Sequence, residues 1–182
     1  SDGDGTNDAF FGDFTNAGAG TVQGIEAEYA IQFNDNWSLQ GNFALLDAEY
    51  DEFLTESANG TVNNIADAQR FTNAPDFSAT LSGVYSRQLA SGGSFTGRLT
   101  LTTQDEVYPT TDLSEAIRQP GYTLASASLI WQTAGPWSFL LEGSNLTDEK
   151  YRTTGYNIAA LGVLTGFYGP PQTFSLTARY DF

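Results

Sequence analysis

The chain has 182 residues, 40% of them hydrophobic, with a mean hydropathy of −0.28 and a formal net charge of −15. No run approaches 18 apolar residues, which excludes transmembrane helices, although a membrane β-barrel, whose strands are only half apolar, passes that test. The sequence has no Cys and no His. Disulfides, thiolate chemistry and the commonest general base are therefore absent, and the acidic balance argues against a nucleic-acid partner.

Residues 1–20 are rich in Gly, Asp and Asn without periodicity and read as an outer loop. Asp2, Asp4, Thr6, Asp8 and Asp13 follow a calcium-loop count, but Asn7 stands where such loops place Gly, so the expectation is a solvated acidic segment without metal. A first strand is expected over 21–34, with Ile25, Ala27, Tyr29, Ile31 and Phe33 on one face and Glu26 and Glu28 on the other. Asn34-Asp35-Asn36 is a tight turn. A second strand over 37–53 sets Trp37, Leu39, Phe43 and Leu45 against Ser38, Gln40 and Asn42, and a long gap runs to Pro75. Asp47, Glu49, Asp51, Glu52 and Glu56 cluster where this strand ends and read as an acidic rim; bridging to lipopolysaccharide through divalent cations, or binding a cationic ligand, are the alternatives.

A third strand (76–89) and a fourth (94–108) flank the short turn Ala90-Ser91-Gly92-Gly93. A second long gap, 109–120, has room for one helical turn at Ser114–Arg118. A fifth strand (121–133) and a sixth (137–151) flank Ala134-Gly135-Pro136, and the weakened alternation after Gly143 suggests a bulge. After a third long gap, 152–169, the chain closes on a strand in which Phe174, Leu176, Ala178, Tyr180 and Phe182 alternate with Thr173, Ser175, Thr177, Arg179 and Asp181.

Connections alternate short and long throughout. Transmembrane barrels do this, with tight turns on the periplasmic side and long loops outside. A Greek-key sandwich has no reason to. Phe33, Trp37, Phe95, Trp131, Trp137, Tyr180 and Phe182 sit beside short turns or the terminus, and Tyr50, Phe53, Phe77, Tyr108, Tyr122, Tyr151 and Phe174 sit near long gaps, which suggests two aromatic girdles. Glu26, Glu28, Arg98, Glu142 and Arg179 fall on the polar parity and are expected to face the lumen, with Glu142 and Arg179 paired along the wall. Arg87 alone of the cations shares the apolar parity, near a short turn where it can snorkel. The reading is therefore an all-β, antiparallel transmembrane β-barrel in which residues 21–182 supply about seven strands. An odd count leaves edges open, so these strands belong to something larger. No signal peptide is visible, so an exported chain would be a mature or internal piece.

Several stretches carry a resemblance: Gly24-Ile25-Glu26-Ala27-Glu28; Trp37-Ser38-Leu39 running to Asp47-Ala48-Glu49-Tyr50; Asn73-Ala74-Pro75-Asp76-Phe77; Asn145-Leu146-Thr147-Asp148-Glu149-Lys150-Tyr151; and Gly169-Pro170-Pro171 before the last strand. In this order and spacing the chain resembles the carboxy-terminal part of the barrel of TonB-dependent outer-membrane receptors. The resemblance implies the final third of a 22-stranded plugged barrel. It also implies energised uptake of a small nutrient ligand (a ferric siderophore, haem, cobalamin or an oligosaccharide), with TonB acting through a plug that this sequence does not include. It implies outer-membrane lipid and lipopolysaccharide as surroundings, and the barrel-assembly machinery as a reader of Tyr180 and Phe182. No enzymatic role and no cofactor are expected. Substrate contacts are expected in the long loops, at Tyr108, Arg118, Tyr156 and Phe167. A passive porin and a soluble carbohydrate-binding sandwich are the alternative readings.

Overall fold

The computed structural model describes residues 18–57, 59–158 and 161–182. Asp2, Asp4, Thr6, Asp8 and Asp13, read as a solvated acidic segment, and most of the 1–20 stretch lie outside that range. Seven long strands form one antiparallel sheet: β1 (Gly18–Gln32), β2 (Trp37–Glu56), β4 (Phe77–Gln88), β5 (Ser94–Gln104), β6 (Tyr122–Gln132), β7 (Trp137–Ser144) and β10 (Thr173–Tyr180), in the order β1-β2-β4-β5-β6-β7-β10. Three short strands lie in the long connections: β3 (Val62–Asn64), which pairs with the end of β2, and the hairpin of β8 (Arg152–Ile158) and β9 (Val163–Tyr168). Each long strand pairs with its sequence neighbour among the seven. The sandwich alternative, which needs crossovers and a second packed sheet, is thereby overturned.

The register makes the sheet two-faced. Cross-strand partners point to the same side, so rows of residues can be read across it. One row runs Ile25, Leu45, Phe77; another runs Leu99, Ala127, Gly143, Phe174; a third runs Gly97, Leu129, Leu141, Leu176. The opposite face carries Glu28, Asn42, Thr80, Thr102 in one row and Gln40, Ser82, Thr100, Ser126 in another. Hydroxyls bond across this face, with Ser82 Oγ 2.8 Å from Thr100 Oγ1 and Ser86 Oγ 3.0 Å from Thr96 Oγ1. Such pairs each contribute roughly 0.2–1 kcal/mol. The apolar face is uncovered: Leu99 is 51% exposed and Leu176 73% exposed. An exposed apolar face spanning a whole sheet requires an apolar surrounding.

At the short-turn end the aromatics form a near-continuous row. Trp37 lies 4.8 Å from Tyr85, Trp131 5.4 Å from Phe139, Trp137 5.0 Å from Tyr180, and Tyr180 5.0 Å from Phe182, centroid to centroid. The turns there are locally determined. Asn34 Oδ1 accepts from the backbone N–H of Asn36 and Trp37 at 2.9 and 3.0 Å, closing the first hairpin.

Four expectations need correction. The expected girdle at the long-gap end does not hold together, because Tyr50, opposite Gly20, and Tyr122, opposite Gln104, lie on the polar face and stack on Phe71 and Tyr151 respectively. The weak alternation after Gly143 marks the end of β7 at Ser144, not a bulge; register shifts occur instead in β1 at Ala19/Gly20 and in β8 at Arg152/Thr154. Glu142 and Arg179 do not pair: Glu142 accepts from Ser175 Oγ at 3.3 Å and Arg179 binds Asp181 at 2.7 Å. They stand opposite Ser175 and Ser138, four positions apart along β10, or roughly 13 Å. Finally, β1 begins at Gly18, inside the stretch read as loop.

Candidate functional site: the interlocked loops

The three long connections, 57–76, 105–121 and 145–172, emerge at one end of the sheet. The first is anchored by β3 on the end of β2 and by Asn64, whose Oδ1 accepts from the N–H of Phe53 (2.9 Å) and of Ala66 (3.1 Å). It then folds back over the polar face, where Phe71 stacks on Tyr50 at 4.2 Å, with planes 6° apart, and lies against Gly20. A cleft of about 940 Å³ opens between this loop, the middle of β1 (Gln23–Ile25) and of β2 (Leu45–Tyr50), and the root of the second loop. Tyr50, Phe71 and Tyr108 give it aromatic walls, while Asp67, Asp76, Glu106 and Arg70 give it charge.

The second loop is closed at its root by paired backbone bonds between Val107 and Gln119 (2.9 and 3.0 Å). The expected turn at Ser114–Arg118 is present, with the N–H of Arg118 donating to Ser114 O at 3.0 Å. That turn aims Arg118 at two carboxylates. Its Nε donates to Glu115 at 2.7 Å and its Nη1 pairs with Glu106. Tyr108 donates its hydroxyl to Glu115 at 2.7 Å. This bond raises the Tyr108 pKa above the usual tyrosine value, and the same bond, with Arg118 beside it, lowers that of Glu115. The two carboxylates hold the Arg118 guanidinium more firmly protonated.

The third connection starts with the Asn145–Tyr151 stretch. Asn145 adopts φ 49°, a left-handed conformation that asparagine tolerates better than most residues. Its side chain is buried and fully used. Nδ2 donates to Glu149 O (2.9 Å) and Pro170 O (3.1 Å), and Oδ1 accepts from the N–H of Glu149 (2.9 Å). Leu146 donates its N–H to Ala125 O at 2.7 Å, and Gln172 Nε2 donates to Leu146 O at 2.8 Å. The motif ties the exit of β7 to both β6 and the entrance of β10. Tyr151 stacks on Tyr122 at 4.7 Å and presses against Gly169, where a Cβ would lie 2.0 Å from its ring.

The β8–β9 hairpin presents one face to the second loop. Gly155 is buried against Ile117, which is 1% exposed, and Asn157 Nδ2 donates to Ser114 Oγ at 3.0 Å. Its other face carries Tyr156, Ile158, Val163 and Phe167, with the rings of Tyr156 and Phe167 6.4 Å apart, edge to face, and each about half exposed.

Of the four residues singled out as substrate contacts, Tyr108 and Arg118 are brought together through Glu115, and Tyr156 and Phe167 through their own contact. Arg70, Glu106, Gln119 and Arg152 were missed. Gln119 is 4% exposed and accepts from the Arg152 N–H at 2.6 Å; no local pattern marks a glutamine in a loop as a buried tie between loops 33 residues apart. Glu26, Glu28, Arg98 and Glu142 share the polar face by register, with Arg179 beside Ser138 in the same set. The rim acids separate. Asp47, Glu49 and Asp51 alternate onto the apolar parity, where Gln23 and Thr21 bond Asp47 and Asp51, while Glu52 and Glu56 take the other side. Among the described residues no three carboxylates converge on a common point able to hold a metal ion.

Comparison with known proteins agrees with this architecture. The family described as TonB dependent receptor-like, beta-barrel matches residues 1–146. The ferric-pyoverdine M114 receptor PbuA of Pseudomonas sp. (strain M114) is 26% identical over 169 residues, covering 92% of this chain and 19% of that protein. Among solved structures, the ferric yersiniabactin uptake receptor FyuA from Yersinia pestis superposes with a TM-score of 0.71 at 24% identity, over 92% of this chain and 24% of that one. The siderophore receptor PiuA from Acinetobacter baumannii gives 0.67 at 19% identity, over 87% and 21%. These superpositions speak to the fold: the sheet is a sector of a larger antiparallel barrel wall. The chain spans only about a fifth to a quarter of the length of these relatives. With most of its residues matched by the family, a two-faced antiparallel wall and long loops gathered at one end, the chain belongs to the TonB-dependent receptor-like β-barrel family.

Proposed function

We propose that this chain is the wall and outer-loop part of a bacterial outer-membrane receptor that takes up an iron–siderophore complex with energy delivered through TonB. The observation that carries the reading is the uninterrupted two-faced sheet of seven consecutively paired strands, long-looped at one end only. In that setting the apolar face meets lipid, and the loop end meets lipopolysaccharide and the medium. The polar face, with Glu26, Glu28, Arg98, Glu142 and Arg179, lines the lumen. The ligand reaches Tyr156 and Phe167 as exposed rings, Tyr108 as a wall of the cleft, and Arg118 at the guanidinium edge that its two carboxylates leave free. Tyr180 and Phe182, at the short-turn end, serve the barrel-assembly machinery as its signal. Relatives named for ferric-pyoverdine and ferric yersiniabactin support an iron chelate over other nutrients. Their function is reception and transport, so no catalytic role is assigned.

Uptake of radiolabelled iron by the source bacterium under iron limitation tests this. Deleting the gene should abolish uptake of at least one ferric siderophore, and inactivating TonB should do the same. Uptake that survives loss of TonB would identify a passive channel, and growth indifferent to the deletion on every iron chelate would remove the siderophore reading.

A further inference from the structure

We infer that the three loops are mechanically one body, clamped by Arg118 and latched by Gln119, so that contact made on one loop is felt on the other two. The ties run in series. In the first loop, Arg70 Nη1 lies 3.6 Å from Glu106 and its guanidinium sits 6.0 Å from the Tyr108 ring, while the N–H of Asn73 donates to Tyr108 O at 3.0 Å. Glu106 therefore stands between Arg70 and Arg118, and joins the first loop to the second. Arg118 also holds Glu115, which receives the Tyr108 hydroxyl, so the second loop is cross-braced on itself. From there the ties pass to the third connection. Arg118 O accepts from Arg152 Nη1 at 2.7 Å, Gln119 Oε1 accepts from the Arg152 N–H at 2.6 Å, and Ser114 Oγ accepts from Asn157 at 3.0 Å. Ile117 fills the space over Gly155, where a Cβ would stand 3.3 Å from it.

Two features make this more than surface decoration. Long surface side chains gain little from isolated ion pairs, but a guanidinium fixed at two carboxylates within a network loses its freedom once for several bonds. The two groups at the centre, Ile117 and Gln119, are also the most deeply buried of the second loop, at 1% and 4% exposure. Separate flexible loops would bury neither. The inference concerns the loops alone and holds whatever ligand they meet.

Hydrogen exchange of the full-length receptor in detergent, read by mass spectrometry over peptides containing Asn73 and Arg152–Asn157, tests the coupling. Glu106→Gln should raise exchange in both peptides together, by about tenfold, although neither contains the substitution. Gln119→Ala should raise it most at Arg152–Asn157 and by a smaller factor at Asn73, because coupling through the intact clamp is reciprocal. Wall peptides in β5 and β6 serve as the folding control and should not change. If Glu106→Gln fails to fold, Arg118→Lys, which keeps the charge but cannot span two carboxylates, gives the same reading. Exchange that rises at Asn73 and stays at the wild-type rate at Arg152–Asn157, in whichever variant folds, would show the loops to be independent and overturn the inference.

Discussion

At position 145 an asparagine stands in a left-handed conformation with all its side-chain hydrogen bonds made to backbone. Asn145→Ala would remove three hydrogen bonds, to the Glu149 N–H and to the Glu149 and Pro170 carbonyls, and at a net of about 1 kcal/mol per bond a loss of about 2–4 kcal/mol is expected. Urea titration of the full-length barrel in vesicles reads that loss. Gly169 is constrained by contact instead. Gly169→Ala drives a methyl into the Tyr151 ring and should slow folding into vesicles, and pairing it with Tyr151→Ala should restore much of the loss. A third residue-scale test concerns Tyr108. Its hydrogen bond to Glu115 raises its pKa, so its ionisation, followed by NMR of labelled tyrosine, should occur above that of free tyrosine and fall back in Glu115→Gln. The linkage has two limbs. The depressed Glu115 pKa stabilises the loop above the unfolded carboxylate value, roughly pH 4, and that contribution fades as pH drops through the lower folded value. The raised Tyr108 pKa stabilises it below roughly pH 10, and that contribution fades as pH climbs through the higher folded value. The brace is therefore at full strength across the neutral range.

Among the elements, β5 gives the cleanest contrast between faces. Leu99 sits mid-strand on the apolar row with Gly83 and Ala127, and Thr100 sits beside it on the polar row with Ser82 and Ser126. Leu99→Arg should cost about 2–4 kcal/mol in vesicles, and Thr100→Arg well under half of that, as measured by the same titration. Period-two alternation made all seven long strands legible from sequence, because burial of one face against an apolar medium demands it at every residue. Strand ends were read less well. The fourth strand stops at Gln104 and the sixth at Ser144, short of 108 and 151; the faltering pattern after Gly143 marked a strand end, where ladder pairing ceases, and not a bulge. The three short strands were not read at all. β3 is three residues long and held by side-chain bonds from Asn64, and the β8–β9 hairpin carries Gly155 and Gly166 where a strand pattern would want bulk. Faces failed where position along the strand was weighed instead of parity, although Tyr50 and Tyr122 both lie within the ladder. Tyr50 and Tyr122 were assigned to a girdle by nearness to the loops, and parity puts them inside.

For the molecule as a whole, the outer edges of β1 and β10 carry no ladder partner among the described residues. Two open edges flanking an apolar face invite association. The 182-residue chain alone, refolded into vesicles, is expected to give mixed oligomers without the heat-modifiable monomer band that the full-length receptor should show on gels. The loop site was the least legible part. Tyr108, Tyr156 and Phe167 could be named from the sequence as aromatic residues in long loops, whereas Phe71, which stacks on Tyr50 in the cleft wall, was missed. Its ties could not, since a salt bridge between Arg70 and Glu106 joins positions with no shared periodicity.

The wall is not level at its open end. β2 runs eleven residues past Leu45, where its pairing with β4 stops, accompanied only by β1 and the three residues of β3, whereas β7 ends at Ser144. At ~3.3 Å per residue that excess is roughly 36 Å of strand, so the rim has a tall parapet on one flank and a low sill on the other. Thr55 and Glu56, at the tip of β2, are therefore the strand residues of this wall that stand farthest beyond the ladder shared with β4.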